Sequence, residues 1–263
     1  MAGHSKWHNI KHRKAAVDKK RGKAWTKCAK AIIVAAKHGG PDPASNLSLR
    51  YAIDLARYAN MPRDTIDRAI KKGAGELGAE TYESIRYEGY GPAGVAILID
   101  ALTDNRTRTV GDLRLILGKF GGNLGSSGCV AYLFENKGQI LISSAAPEQE
   151  KKKPSPAPFS EERLMELAIE AGAEDVESPE APEAPWTVTT APADFHRVKE
   201  RLEAAGFVID DAQFEMLPTT RAAARGDDAK RLLSLVDAVE DLDDVQKVYT
   251  NVDLADADVP DLA

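Results

Sequence analysis

The hydrophobic period of this chain changes near residue 80, and with it the kind of structure the chain can build. Up to residue 73, apolar side chains recur every three or four positions. Trp25, Cys28, Ala29, Ile32 and Ala36 fall on one helical face, and GGPDP at 39–43 ends that helix. Leu49, Ala52, Ile53 and Ala56 continue the pattern in a second helix. Ile66, Ala69 and Ile70 form the stripe of a third, with Pro62 suited to the first turn and Gly73 to a C-terminal stop. Three helices with short connections predict a small bundle. The first 20 residues lack a continuous apolar stripe and read as a mobile arm ahead of it.

Beyond residue 80 the period is that of strands. YESIRYEGYG and VAILIDAL (95–102) read as two strands joined by a Gly-Pro turn. A helix is predicted over 106–120, with Val110, Leu113, Leu117 and Phe120 on one face and Gly121 and Gly122 as its stop. CVAYLFEN (129–136) reads as another strand. Four more strand-like runs and three helices follow, at 160–171, 192–205 and 228–240. Ser160 is the expected N-cap of the first of these, with acids in its opening turn. The alternation predicts an α+β chain, with sheets that carry helices on one face. The Pro-rich segments 143–158 and 178–185 read as a flexible linker and a loop, and the acidic tail after Val252 as frayed.

Charge is divided along the same line. Residues 1–37 hold eleven Lys or Arg and a single acid, Asp18, in a chain of net charge -6. Through residue 72 the balance is +12, so residues 73–263 carry -18. Such a chain points one end at a polyanion and keeps the rest away from it. Trp7, Trp25, His4, His8 and His12 are interleaved with the cations, a combination that holds phosphates and stacks on bases. With 263 residues, two or three domains are expected. No apolar run approaches the roughly 18–20 residues needed to cross a bilayer, and the basic start has no secretory h-region. Two cysteines, Cys28 and Cys129, make neither a disulfide framework nor a metal knuckle, so a cytoplasmic protein with reduced thiols is expected.

The candidate chemical motifs read mostly as structure. GYGPAG (89–94) matches a dinucleotide fingerprint formally, but a strand follows it where a helix is needed, so it reads as a turn. KFGGNLGSSG (119–128) reads as a helix C-cap and turn, or as a backbone surface for close approach by a partner. The three arm histidines lack a thiolate or carboxylate to complete a metal set, and eight cations in residues 6–23 oppose a divalent ion. In TDNRTRT (103–109), Asp104 or Asn105 caps the next helix, and Asn105, Arg106 and Arg108 form a possible secondary contact for a phosphate or carboxylate. No nucleophile with a base assembles, so no catalytic residue, metal or cofactor is expected.

The stretches MAGHSKW with NIKHRKAA, KKRGKAWTK, NMPRDTIDRAIKKG, YEGYGPAGVAI, ALTDNRTRTV and GGNLGSSGCVAYLF closely resemble the YebC/PmpR family. That family includes the mitochondrial translational activator of cytochrome c oxidase subunit one. The resemblance implies an N-terminal helical domain and two split βαβ-like α+β domains, one inserted in the other. The implied boundaries are 1–78, then 79–136 with 212–252, an insertion at 137–211, and a tail at 253–263. Members are described as probable DNA-binding transcriptional regulators, while others resemble translation factors that help ribosomes through proline runs. By resemblance, the contact residues are Lys6, Trp7, Lys11, His12, Arg13, Lys14, Lys20, Arg21, Lys23 and Lys27. His8, Ala29–Ala31, GPAG for the common GPGG, and Phe120 for a usual histidine are departures. The last argues against catalysis at that position.

The expected function is therefore a non-enzymatic, nucleic-acid-binding regulator of gene expression. Its partner would be DNA or ribosomal RNA, with the transcription machinery or the ribosome as context and no membrane. A monomer is favoured, with the oligomeric state open. The alternatives are a ribosome-associated translation factor, or a protein-interaction factor whose basic end is a tether.

Overall fold

The helical period of the first third is realised as α1 (Arg21–Gly39), α2 (Leu47–Tyr58) and α3 (Arg63–Gly73). The computed structural model describes residues 21–78, 81–143, 160–179, 184–255 and 258, with Arg21 described by its backbone alone. The arm ahead of α1, most of the linker at 143–158, part of the loop at 178–185 and most of the acidic tail lie outside them.

The stripes read from the sequence meet in one core. Ile32, Ile33 and Ala36 of α1 pack with Leu49, Ala52, Ile53 and Ala56 of α2 and with Ile66 and Ala69 of α3. Each large aliphatic side chain buried this way contributes about 1.5–3 kcal/mol. Asn46 fastens α1 to α2. Its Oδ1 caps α2 by accepting from the Leu49 N–H at 3.0 Å, and its Nδ2 donates to the carbonyls of Ala35 and Gly40, both at 2.8 Å. One side chain thereby satisfies the start of one helix and the end of another. Gly73 acts differently from the expected left-handed stop. The cap after it, Ala74, is right-handed (φ -70°). A Cβ on Gly73 would lie 2.6 Å from the Ile33 carbonyl oxygen and 2.7 Å from the Ala36 Cβ, so the glycine is needed for α3 to approach α1.

Among the described residues the chain separates into two compact units, one holding Glu135–Leu217 and the other the residues on either side of it. In the flanking unit, β1 (Glu83–Tyr90) and β2 (Ala96–Thr103) form an antiparallel hairpin, in register from Glu83↔Thr103 to Tyr90↔Ala96. The Gly-Pro turn between them is a single 3₁₀ turn, Pro92–Gly94, in which Ala93 adopts a left-handed φ of 58°. The motif is a turn, as its flanking strands implied. After α4 (Arg106–Lys119) comes the short β3 (Asn123–Leu124), and later β8 (Ala222–Ala224), α7 (Gly226–Glu240), β9 (Val245–Thr250) and β10 (Val252–Leu254). The sheet order is β3-β1-β2-β9, with β8 and β10 paired in parallel beside it. Leu113 and Leu117 of α4 and Leu232, Leu235 and Val239 of α7 are fully or almost fully buried.

The other unit runs β4 (Phe134–Ile142), α5 (Glu161–Glu170), β5 (Ala173–Glu177), β6 (Trp186–Thr190), α6 (Phe195–Ala204) and β7 (Ile209–Pro218). Its sheet order, β5-β6-β4-β7, is that of a split βαβ fold, and Ile140, Ile142, Leu164, Val188, Val198 and Leu202 form its core. Ser160 caps α5 as expected, accepting from the Arg163 N–H at 3.3 Å. The strand expected at 129–136 is shorter at its start. A 3₁₀ turn occupies Ala131–Leu133, and β4 begins only at Phe134.

Candidate nucleic-acid interface

Of the ten expected contact residues, only Lys23 and Lys27 have described side chains. Lys6, Trp7, Lys11, His12, Arg13, Lys14 and Lys20 lie outside the described residues, as does the side chain of Arg21. Lys23, Lys27 and Lys30 stand at i, i+4 and i+7, so they share one face of α1. That face meets the end of α7 and the acidic run that follows it, EDLDD at 240–244.

Lys23 Nζ donates to the Asp241 carbonyl at 3.0 Å and to Asp241 Oδ1 at 3.3 Å. Lys27 Nζ donates to the Glu240 carbonyl at 2.8 Å. Lys30 Nζ donates to the Asp243 carbonyl at 2.9 Å and to Asp244 Oδ1 at 2.9 Å. The last carbonyls of a helix lack intrahelical donors and form its negative end, so lysines from another helix are well placed there. Four residues of this run, Glu240, Asp241, Asp243 and Asp244, thus meet the lysines of the basic third.

Asp244 is the centre of the arrangement. Its carboxylate is buried and accepts from Lys30, from Arg108 Nη2 at 2.7 Å, from Thr109 Oγ1 at 3.0 Å and from Thr103 Oγ1 at 3.2 Å. Burial alone would raise its pKa. The hydrogen bonds from Arg108, Lys30 and Thr109 outweigh burial and hold it at about 2. Asp244 therefore ties α1, the end of β2 and the first turn of α4 to one charge.

This explains TDNRTRT. Asn105 caps α4 by accepting from the Arg108 N–H at 3.0 Å. Arg108 is held between Asp244 and Asp104, each at 2.7 Å, and the two carboxylates, Asp244 first, raise its pKa further. Both residues have structural partners. Arg106 is exposed and has no ion-pair partner among the described residues.

The glycine-rich stretch also has an internal anion. Glu88 is buried, and its carboxylate accepts three backbone N–H groups, from Gly128 at 2.6 Å and from Val130 and Ala131 at 2.8 Å. These donors are turned inward on a side chain, so 129–131 cannot pair as a strand there. Burial raises the Glu88 pKa, but the three N–H groups and nearby Arg86 lower it by more, so the net shift is downward. Glu88→Ala is expected to cost about 2–4 kcal/mol, because bonds to a charged acceptor are lost and three donors are left unmet. Urea unfolding would measure this, with faster amide exchange at Gly128, Val130 and Ala131. A loss under about 1 kcal/mol would mean that the loop holds itself.

Two further sequence features have structural roles. Trp25 is half-buried against the bundle and donates its indole N–H to the Ala59 carbonyl at 3.0 Å, so it helps to close the core. Burial pushes the Cys28 thiol up to about 11, which keeps it protonated at neutral pH. Sequence reasoning missed Lys30, Glu88 and Asp244. The available signal was three lysines on one helical face and an acidic run directly after a helix.

The family model for the TACO1/YebC N-terminal domain matches residues 5–76, and the model for the TACO1/YebC second and third domain matches residues 82–252. The chain belongs to the TACO1/YebC family. Relatives named probable transcriptional regulatory proteins include one from Pelotomaculum thermopropionicum, 50% identical over 97% of this chain and 100% of that one. Another, from Geobacillus kaustophilus, is 51% identical over 96% of this chain and 98% of that one. A crystal structure of a conserved hypothetical protein from Aquifex aeolicus is similar with a TM-score of 0.79. It is 44% identical and covers 95% of this chain and 96% of its own. Among the described residues, no helix of this TACO1/YebC chain is long and apolar enough to cross a membrane.

Proposed function

We propose that this chain is a non-enzymatic regulator of gene expression that docks its basic N-terminal third on a nucleic acid. One observation carries the reading: residues 1–72 hold +12 in a chain whose remainder holds -18. Solubility does not require the signs to be segregated, whereas a polyanionic partner does. Lys and Arg would bind by releasing counterions from phosphates, with Trp7 and the arm histidines stacking. The names of the relatives speak of transcriptional regulation, which favours DNA as the nucleic acid.

A second reading, binding to folded RNA on a ribosome, is favoured by α3. The connection between α2 and α3, residues 59–62, has the length of a helix-turn-helix turn. A recognition helix meets bases with its N-terminal residues. Here the N-terminal half of α3 presents Asp64 and Asp67, with Arg63 3.8 Å from Asp67, and carboxylates there oppose entry into a groove.

The test is the salt dependence of binding to duplex DNA and to a folded RNA. Contact with about 6–10 phosphates gives a log–log slope of roughly -5 to -9 on duplex. A slope near -1 on both would remove the proposal. Steeper and tighter binding to the RNA selects the second reading.

A further inference from the structure

The lysine row of α1 already holds anions, and they belong to the chain itself. Asp241 Oδ1 and the carbonyls of Glu240 and Asp241 lie within hydrogen-bond distance of Lys23 and Lys27, as phosphate oxygens would. The contact is graded along the helix. Lys30 and Asp244 are 12% and 10% exposed, and their pair is braced by Arg108, Thr103 and Thr109. Lys23 and Asp241 are 47% and 58% exposed, and Asp241 has no second cation among the ion pairs of the described residues. An exposed pair of that kind contributes little and weakens with salt, so a phosphate can replace its acid at small cost. A buried, braced pair cannot be opened in this way.

We infer that the Lys23–Lys27 half of α1 is a phosphate-binding surface occupied at rest by the chain's own 240–244 loop, which a nucleic-acid backbone displaces. The inference rests on the nucleic-acid reading above and adds a gate to it. Lys30 stays on Asp244 and keeps the bundle attached. Lys23 exchanges the Asp241 carboxylate, and Lys27 beside it the Glu240 carbonyl, for an external phosphate. The acidic loop competes with weak or isolated phosphates and yields to a dense array, so binding is biased towards targets that engage the arm at the same time.

The experiment uses the full chain, a fluorescein-labelled RNA hairpin and a labelled DNA duplex, with anisotropy read across a salt series. Asp241→Asn is expected to bind its preferred probe about two- to five-fold more tightly, the effect of releasing one exposed pair. Its log–log slope should stay close to that of the unsubstituted chain, because Lys23 meets a phosphate in both complexes and only the competitor is gone. The gain should not occur when Asp241→Asn is made in a Lys23→Ala background. Asp227→Asn, at the other end of α7, makes the same change in net charge and should give no gain. Equal gains with and without Lys23, an equal gain from Asp227→Asn, or no gain would each overturn the gate while leaving the nucleic-acid reading in place. A slope near -1 for the unsubstituted chain would remove both.

Discussion

Replacing Asp244 with Ala is expected to lower the stability of the unit that contains it by about 3 kcal/mol, near the lower end for breaking a buried pair from one side. The substitution leaves Lys30 as a largely buried ammonium, 12% exposed, with the Asp243 carbonyl and the Tyr82 ring, 5.5 Å away, as its remaining partners. Arg108 suffers less, because it is half-exposed and keeps Asp104. Thr103 and Thr109 retain each other, with their hydroxyl oxygens 2.9 Å apart. Asp244→Asn retains one acceptor and should fall between the two.

The same carboxylate gives the loss a pH signature. An unfolded Asp titrates near about 3.9. The folded value is depressed to about 2. Its stabilisation is therefore fully present above the unfolded value and is lost as pH falls through the folded one. Between those values the native protein should lose stability that Asp244→Ala no longer has to lose. Urea midpoints measured across that window would show the two curves converging. Parallel curves, or a neutral-pH difference below about 1 kcal/mol, would mean that Asp244 is not the charge that ties α1 to the sheet.

What could be read from the sequence was what the chain fixes locally. The stripes of α1, α2 and α3 were legible because burial repeats every three or four residues, and Asn105 and Ser160 were legible as caps because a cap acts three residues away. Gly73 was found at the right place for a different reason. A stop and a close approach both select glycine, and only the position of Ile33 separates them. CVAYLFEN misled because its apolar alternation is sound, while Glu88, about forty residues earlier, takes the N–H groups that a ladder would use. The lysine row was visible but its partner was not, since nothing local in α1 says that residues 240–244 lie against it. The expected contact residues divide in the same way. The arm was inferred from its charge and from the family resemblance, whereas Lys23 and Lys27 have described partners.

Replacing Lys11, Arg13, Lys14, Lys20 and Arg21 together with Ala is expected to lower nucleic-acid affinity about a thousand-fold at physiological salt. Each cation that neutralises a phosphate on duplex steepens the log–log salt slope by about 0.9, and five such contacts removed near ~0.15 M compound to that size. The slope should become shallower by about 4, which a general loss of folding would not produce, because misfolded protein lowers active concentration without changing Z. Stability should be unchanged, since four of the five lie in the stretch without an apolar stripe. The result also separates the two classes of function. A nucleic-acid regulator loses its activity in cells with its affinity. A protein-interaction factor with a basic tether loses local concentration only, so its activity returns when the variant is overproduced. A loss of less than about ten-fold with an unchanged slope would place the contact elsewhere, and Lys23, Lys27 and Arg106 would then be the cations to substitute next.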